Sequence, residues 1–196
     1  MKSITRLIFA TFTILATFLP AAGTARAQST TTCADLQNAT PQKTLAYLQQ
    51  DRSTLNPQCI DTALRKLIPY RYMPAIPTLI QYLDFKTLSL ARNGQPLGGA
   101  YPAATALGQI GELAIPDVKA AVKNESLNRS QRRNAAALYA EGLSQDTPGI
   151  IKFLMQASKE SKDAQVAFDL IDMATTIANY CPPNIQKQCS DALHGN

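Results

Sequence analysis

The sequence predicts an all-α protein, a short right-handed α-solenoid of about four antiparallel helix pairs, on three observations. Apolar residues recur at helical spacing along most of the chain. Strand signals are nearly absent: no useful run alternates Val, Ile or Thr with polar residues, and Asn93-Gly94, the nearest thing to a hairpin turn, lacks alternating flanks. The chain also resembles itself at a period of roughly 30 to 40 residues, the pattern of stacked two-helix repeats.

The first element lies outside that fold. Lys2 and Arg6 precede an apolar run, Leu7 to Leu19, which Pro20 breaks ahead of Ala25-Arg26-Ala27. A basic start, an apolar stretch and an A-x-A pattern are the parts of a cleavable secretory signal, expected to span 1–27. The run counts 13 residues, well short of the ~20 of a membrane-crossing helix. Cys33 follows Thr30-Thr31-Thr32 rather than small apolar residues, so no lipid anchor is expected there. Residues 28–40 read as an N-terminal extension, 41–180 as the helical domain and 181–196 as a disulfide-closed tail.

Export changes the charge balance. The formal +5 includes Lys2, Arg6 and Arg26; without them the 19 basic residues become 16, against 14 acidic ones, a formal +2. A near-neutral chain argues against nucleic acid or an anionic membrane as the partner. All four cysteines, Cys33, Cys59, Cys181 and Cys189, follow the signal. In an oxidising compartment an even number reads as disulfides. Proximity in sequence suggests Cys33–Cys59 and Cys181–Cys189, with the other pairings open. No C-x-x-C occurs and the single histidine is His194, so no metal is expected; no cofactor is expected either.

Prolines punctuate the helices. Pro41, Pro57, Pro74, Pro102, Pro116 and Pro148 each fall just ahead of an apolar helical pattern, where a missing N–H costs nothing. Thr40, Asn56 and Thr147 precede three of them as candidate N-caps. Helices are therefore expected near 41–50, 57–68, 74–84, 101–111, 115–123, 130–143, 147–158 and 163–179. Within them, the stretch Tyr101 to Gly111 aligns with Arg132 to Gly142, placing Leu107 and Leu138 at equivalent positions 31 apart. Ala75 to Leu83 likewise resembles Ala114 to Val122, and Pro148 to Leu154 is a looser third version.

Ala75-Ile76-Pro77-Thr78-Leu79-Ile80, followed by an Ala-rich helix ending Ala106-Leu107-Gly108-Gln109-Ile110-Gly111, resembles a HEAT repeat, in particular the short bacterial kind named after phycobilisome lyases. The likeness covers residues 75–158, mainly Ala75 to Gly142. It implies a curved stack of helix pairs that binds proteins, and it transfers no catalytic residue. The connection from Phe85 to Gly99 departs from the pattern by its length. The poorly matching ends carry the cysteines, and two stapled caps around a plain repeat core are expected.

Function is legible only as a class. The loop 85–99 holds Leu88, Leu90, Arg92 and Leu97, and a long loop on a rigid scaffold is a natural binding element. Tyr72 and Tyr101 flank it, in a group with Tyr70 and Tyr82, and tyrosine suits interfaces. Arg129, Arg132 and Arg133, with Lys119 and Lys123, form a basic cluster suited to an anionic partner surface. No H-E-x-x-H, G-x-S-x-G or P-loop occurs, so an enzyme is not expected. Sequons at Asn38, Asn124 and Asn128 read as chance matches. The expectation is an exported, monomeric, non-catalytic module of the periplasm or cell exterior that binds a protein through its concave face and loop 85–99. An inhibitor or immunity-type protein is the alternative, and a lyase-like enzyme rests on the family name alone.

Overall fold

The computed structural model describes residues 32–87 and 99–195. The expected signal at 1–27 lies outside them, as do Leu88, Leu90, Arg92 and Leu97. The described residues are all-helical, without a strand. In chain order the α-helices are α1 (Cys33–Gln37), α2 (Pro41–Leu48), α3 (Pro57–Leu67), α4 (Ile76–Gln81), α5 (Pro102–Ile110), α6 (Ile115–Lys123), α7 (Arg129–Leu138), α8 (Thr147–Glu160), α9 (Ala164–Asn179) and α10 (Gln186–His194). A 3₁₀ turn, Met73–Ala75, leads into α4, and a π-helical turn, Tyr139–Leu143, continues α7.

Local chemistry explains the starts. Pro41, Pro57 and Pro102 open α2, α3 and α5. Thr40 and Asn56 accept from the backbone N–H groups of Lys43 and Gln58 at 3.3 and 2.8 Å. At α8 the cap is Asp146, which accepts from Gly149 N–H at 3.0 Å; Thr147, expected to cap, is instead the first helical residue. Gly111 ends α5 with φ of +79°, a conformation that favours glycine.

Contacts pair α2 with α3, α4 with α5, α6 with α7 and α8 with α9. The second helices also meet in succession, α3 to α5 to α7 to α9, as do α4, α6 and α8. Between them runs the core. Ala63, Leu64, Ala103, Ala106, Leu107, Ala135, Ala136, Leu170 and Ala174 from the second helices are all but fully buried, as are Leu79, Val118, Ile151 and Leu154 from the first. Alanine here lets helices approach closely, and each fully buried leucine contributes about 1.5–3 kcal/mol.

The burial pattern corrects the register of the repeat. Pro102, Ala103, Ala106, Leu107 and Ile110 are buried on α5; on α7 and its π turn the buried set is Gln131, Arg132, Ala135, Ala136 and Tyr139, displaced by 29 residues rather than 31. Leu138 is therefore not the counterpart of Leu107: two residues along a helix is about 200° around it, and Leu138 is half-buried, packed against the edge of the core rather than within it. The first helices hold the expected 39-residue displacement, Leu79 matching Val118 and Leu83 matching Val122 in burial. The difference makes the connection within the second pair ten residues longer than that within the third.

Side chains of α7 also close the end of α4. Gln131 Nε2 donates to the Gln81 carbonyl at 2.7 Å and Asn134 Nδ2 to that of Leu83 at 2.7 Å. Arg52 reaches the Gln81 carbonyl at 3.1 Å and Asp84 at 2.8 Å, and Asn128 Nδ2 donates to Asp84 at 3.0 Å. These donors satisfy carbonyls that a helix end leaves unpaired.

Both ends are stapled, by Cys33–Cys59 and Cys181–Cys189. Neither end is merely a tail or extension. The segment 28–40 contains α1, held against α3 by its disulfide, and 181–196 contains α10, which packs on α8 and α9 through Cys189, fully buried. No described helix is long and apolar enough to cross a membrane.

Candidate functional site

The less buried faces of α5 and α7 form two stripes of matched spacing, with Ala104 and Leu138 packed against the edge of the core. Tyr101, Ala104, Thr105, Gly108 and Gln109 follow the i, i+3, i+4, i+7, i+8 spacing of one helix face, and Asn134, Ala137, Leu138, Glu141 and Gly142 repeat it. Between the stripes lies a groove of about 580 Å³, a size typical of ligand clefts.

Its depth comes from what the stripes lack. Ala104, Gly108, Ala137 and Gly142 project little or nothing, so the gap between the two helices stays open. Leu138 lies along the floor: a Cβ on Gly108 would meet its Cδ1 at 3.8 Å, and one on Gly142 at 3.3 Å. Thr105, Gln109, Asn134 and Glu141 supply polar groups at the margins, with Tyr101 among the lining residues of α5. The π turn shapes the far end. Ser144 N–H donates to the Tyr139 carbonyl, five residues back, at 3.2 Å, and the widened turn carries Glu141 and Gly142. Turns of this kind are uncommon and often mark functional positions.

The long connection leaves and re-enters the fold beside this groove. Thr87 N–H donates to the Ala100 carbonyl at 2.8 Å, closing its base. Thr87 Oγ1 donates to Asp61 Oδ1 at 2.9 Å, Arg65 Nε donates to Asp61 Oδ2 at 3.1 Å, and Arg65 also donates to the Thr87 hydroxyl. Asp61 and Thr87 are buried, so this network fixes the stem to α3. Gly99, with φ of +89°, passes so close to Thr105 that a Cβ there would lie 2.8 Å from its hydroxyl.

The other sequence-predicted residues scatter. Tyr72 is half-buried against the core, and Tyr82 is buried with its hydroxyl donating to the Leu48 carbonyl at 3.0 Å. The basic cluster is largely committed to the protein itself. Arg129 grips Asp169 with two hydrogen bonds of 2.7 Å. Arg132, 2 % exposed, donates to the Val122 carbonyl at 2.9 Å and Ser161 Oγ at 3.0 Å, and lies 3.3 Å from Glu125. Lys123 pairs with Glu160 at 2.9 Å, and Lys119 sits 4.7 Å over the Phe153 ring. Of the five, Arg133 remains an exposed side chain on α7, near enough to Asp169 to act on its charge. Arg129, by hydrogen bonding first and charge second, holds the Asp169 carboxyl below its usual range against the opposing effect of burial.

The stripes went unread in the sequence. The repeat alignment sets Leu138 level with Leu107, a fully buried residue, and so hides the groove-lining position of Leu138. The signal that could have found them is slight: each stripe has two small residues, Ala104 and Gly108 on one and Ala137 and Gly142 on the other, and only the alanines fall at equivalent positions, 33 apart. Comparison with family models, with curated proteins and with solved structures finds no match to this chain.

Proposed function

We propose that the chain is an exported, non-catalytic binding module, a short HEAT-like solenoid that holds a segment of a partner protein in the groove between α5 and α7. The observation that carries this reading is the groove itself, an open trough with small-residue walls on two helices whose opposite faces are locked into the core. Such a platform is shaped in advance and loses little freedom on binding. The successive contacts α3–α5–α7–α9 and α4–α6–α8 support the solenoid, being those that a stack of two-helix repeats makes. Two disulfides support an oxidising destination. The stem of the connection, pinned beside Thr105, supports the loop 85–99 as the second half of the site.

The lining side chains suit gripping more than catalysis. Among the described residues they include one carboxylate and neither histidine nor cysteine, whereas proton transfer or nucleophilic attack needs a positioned base or an activated nucleophile. Ala104→Leu combined with Gly108→Leu fills the trough. In capture from the native periplasmic or extracellular fraction, the double variant should lose the partner that wild type retains. A Lys152→Ala control, exposed on α8, should keep it. Equal capture by the double variant would remove the groove from the reading.

A further inference from the structure

Among the described residues Glu141 is the one charged residue lining the groove, and it stands exposed at the end shaped by the π turn. The carboxylates elsewhere that meet cations, Asp61, Asp84, Glu125, Glu160 and Asp169, are engaged by Arg65, Arg52, Arg132, Lys123 and Arg129. Glu141 enters no ion pair among the described residues. The basic side chains of α7 leave from its first turns, and Arg129 and Arg132 are already committed, so no cation among the described residues pairs with that rim. The remaining described lining is apolar or uncharged: Ala104, Gly108, Ala137, Leu138 and Gly142 in the trough, Tyr101, Thr105, Gln109 and Asn134 around it.

From this charge pattern, and resting on the groove being the binding site, we infer that the partner segment carries apolar side chains followed by a lysine or arginine. The apolar side chains fill the small-residue trough and displace water from it. The cation meets Glu141 at the rim, where its charge stays partly solvated. An acidic segment in the same place would bring two carboxylates together in a partly dehydrated cleft, so selection acts by repulsion as well as attraction.

The test uses three acetylated, amidated peptides, Leu-Leu-Lys, Leu-Leu-Gln and Leu-Leu-Glu, titrated into the isotopically labelled full-length protein. The Gly108 and Gly142 backbone amides serve as the NMR reporters. The lysine peptide should bind about two- to fivefold more tightly than the glutamine peptide, the range of a solvent-exposed ion pair, and the glutamate peptide most weakly. Glu141→Gln, an exposed change, should level the lysine and glutamine peptides without altering the melting temperature. Gly108→Leu, checked for an intact fold by its melting curve, should weaken all three. If all three peptides shift both glycines equally and Glu141→Gln changes nothing, the groove reading stands and the cationic preference falls. If no peptide moves either glycine at millimolar concentration, both fall.

Discussion

Arg132 is a cation placed where the sequence suggested solvent, and its surroundings show what it does. Buried beside Val122, Ser161 and Glu125, it ties α7 to the end of α6 and to the turn before α9. Arg132→Met keeps volume but orphans the Val122 carbonyl; it should lower unfolding stability by about 1–3 kcal/mol, the cost of leaving a buried polar group unpaired, measured by denaturant titration. Arg129→Ala tests a different chemistry. Because Asp169 titrates lower in the folded chain than in the unfolded one, its contribution is present above the ordinary carboxylate pKa of about 3.9. It is lost as pH falls below that value and through the depressed one. Thermal melts of wild type and Arg129→Ala should therefore differ at pH 7 and converge toward pH 2; a gap that stays constant would mean that the pair acts through packing. None of these partnerships was readable in advance, since Asp169 lies 40 positions from Arg129 and nothing local links them.

At the level of elements, most helices were legible, and so was the register of α4 against α6, but the register of α7 was not. Prolines and caps set starts that depend on a few neighbouring residues, so α2, α3, α5 and α6 begin within a residue or so of expectation. The register of α7 failed because Ala135-Ala136-Ala137 is a run in which any of three residues can serve as the small core residue. Burial picks Ala135 and Ala136, turning Leu138 to the groove. Paired substitutions check this directly. Leu107→Ala should cost about 2–5 kcal/mol, as deleting a buried leucine side chain does, while Leu138→Ala should cost distinctly less and deepen the groove. Equal losses would restore the 31-residue register. Helices α1 and α10 escaped for another reason: the first is five residues long, and the second buries little besides Cys189, so neither shows the apolar rhythm by which helices are recognised.

Across the whole molecule, the helix pairs share one continuous core with a disulfide at either end. The cysteine pairing was legible because each pair is close in sequence; the cysteines' role in fastening a helix was not, since that depends on which surfaces α1 and α10 cover. The chain-entropy view makes the longer loop worth more. Loss of Cys33–Cys59, separated by 26 residues, should cost about 3.5 kcal/mol, and loss of Cys181–Cys189, separated by 8, about 2.5 kcal/mol. Serine replacements of each pair, melted in parallel, should rank in that order. Reversal would mean that α10 depends on its staple for docking and not only for chain restraint.

The hydrogen bond between Thr87 and Ala100 has a use in protein engineering. It brings departing and returning chain together at one pinned point, so a sequence grafted between them begins and ends at a fixed distance whatever its length. Closure entropy rises by only about 0.6 kcal/mol for each doubling of an inserted loop. An affinity epitope or a fluorescent domain spliced in here would be displayed beside the α5–α7 trough while the helices keep their own contacts, making the stem a port for reporters of occupancy.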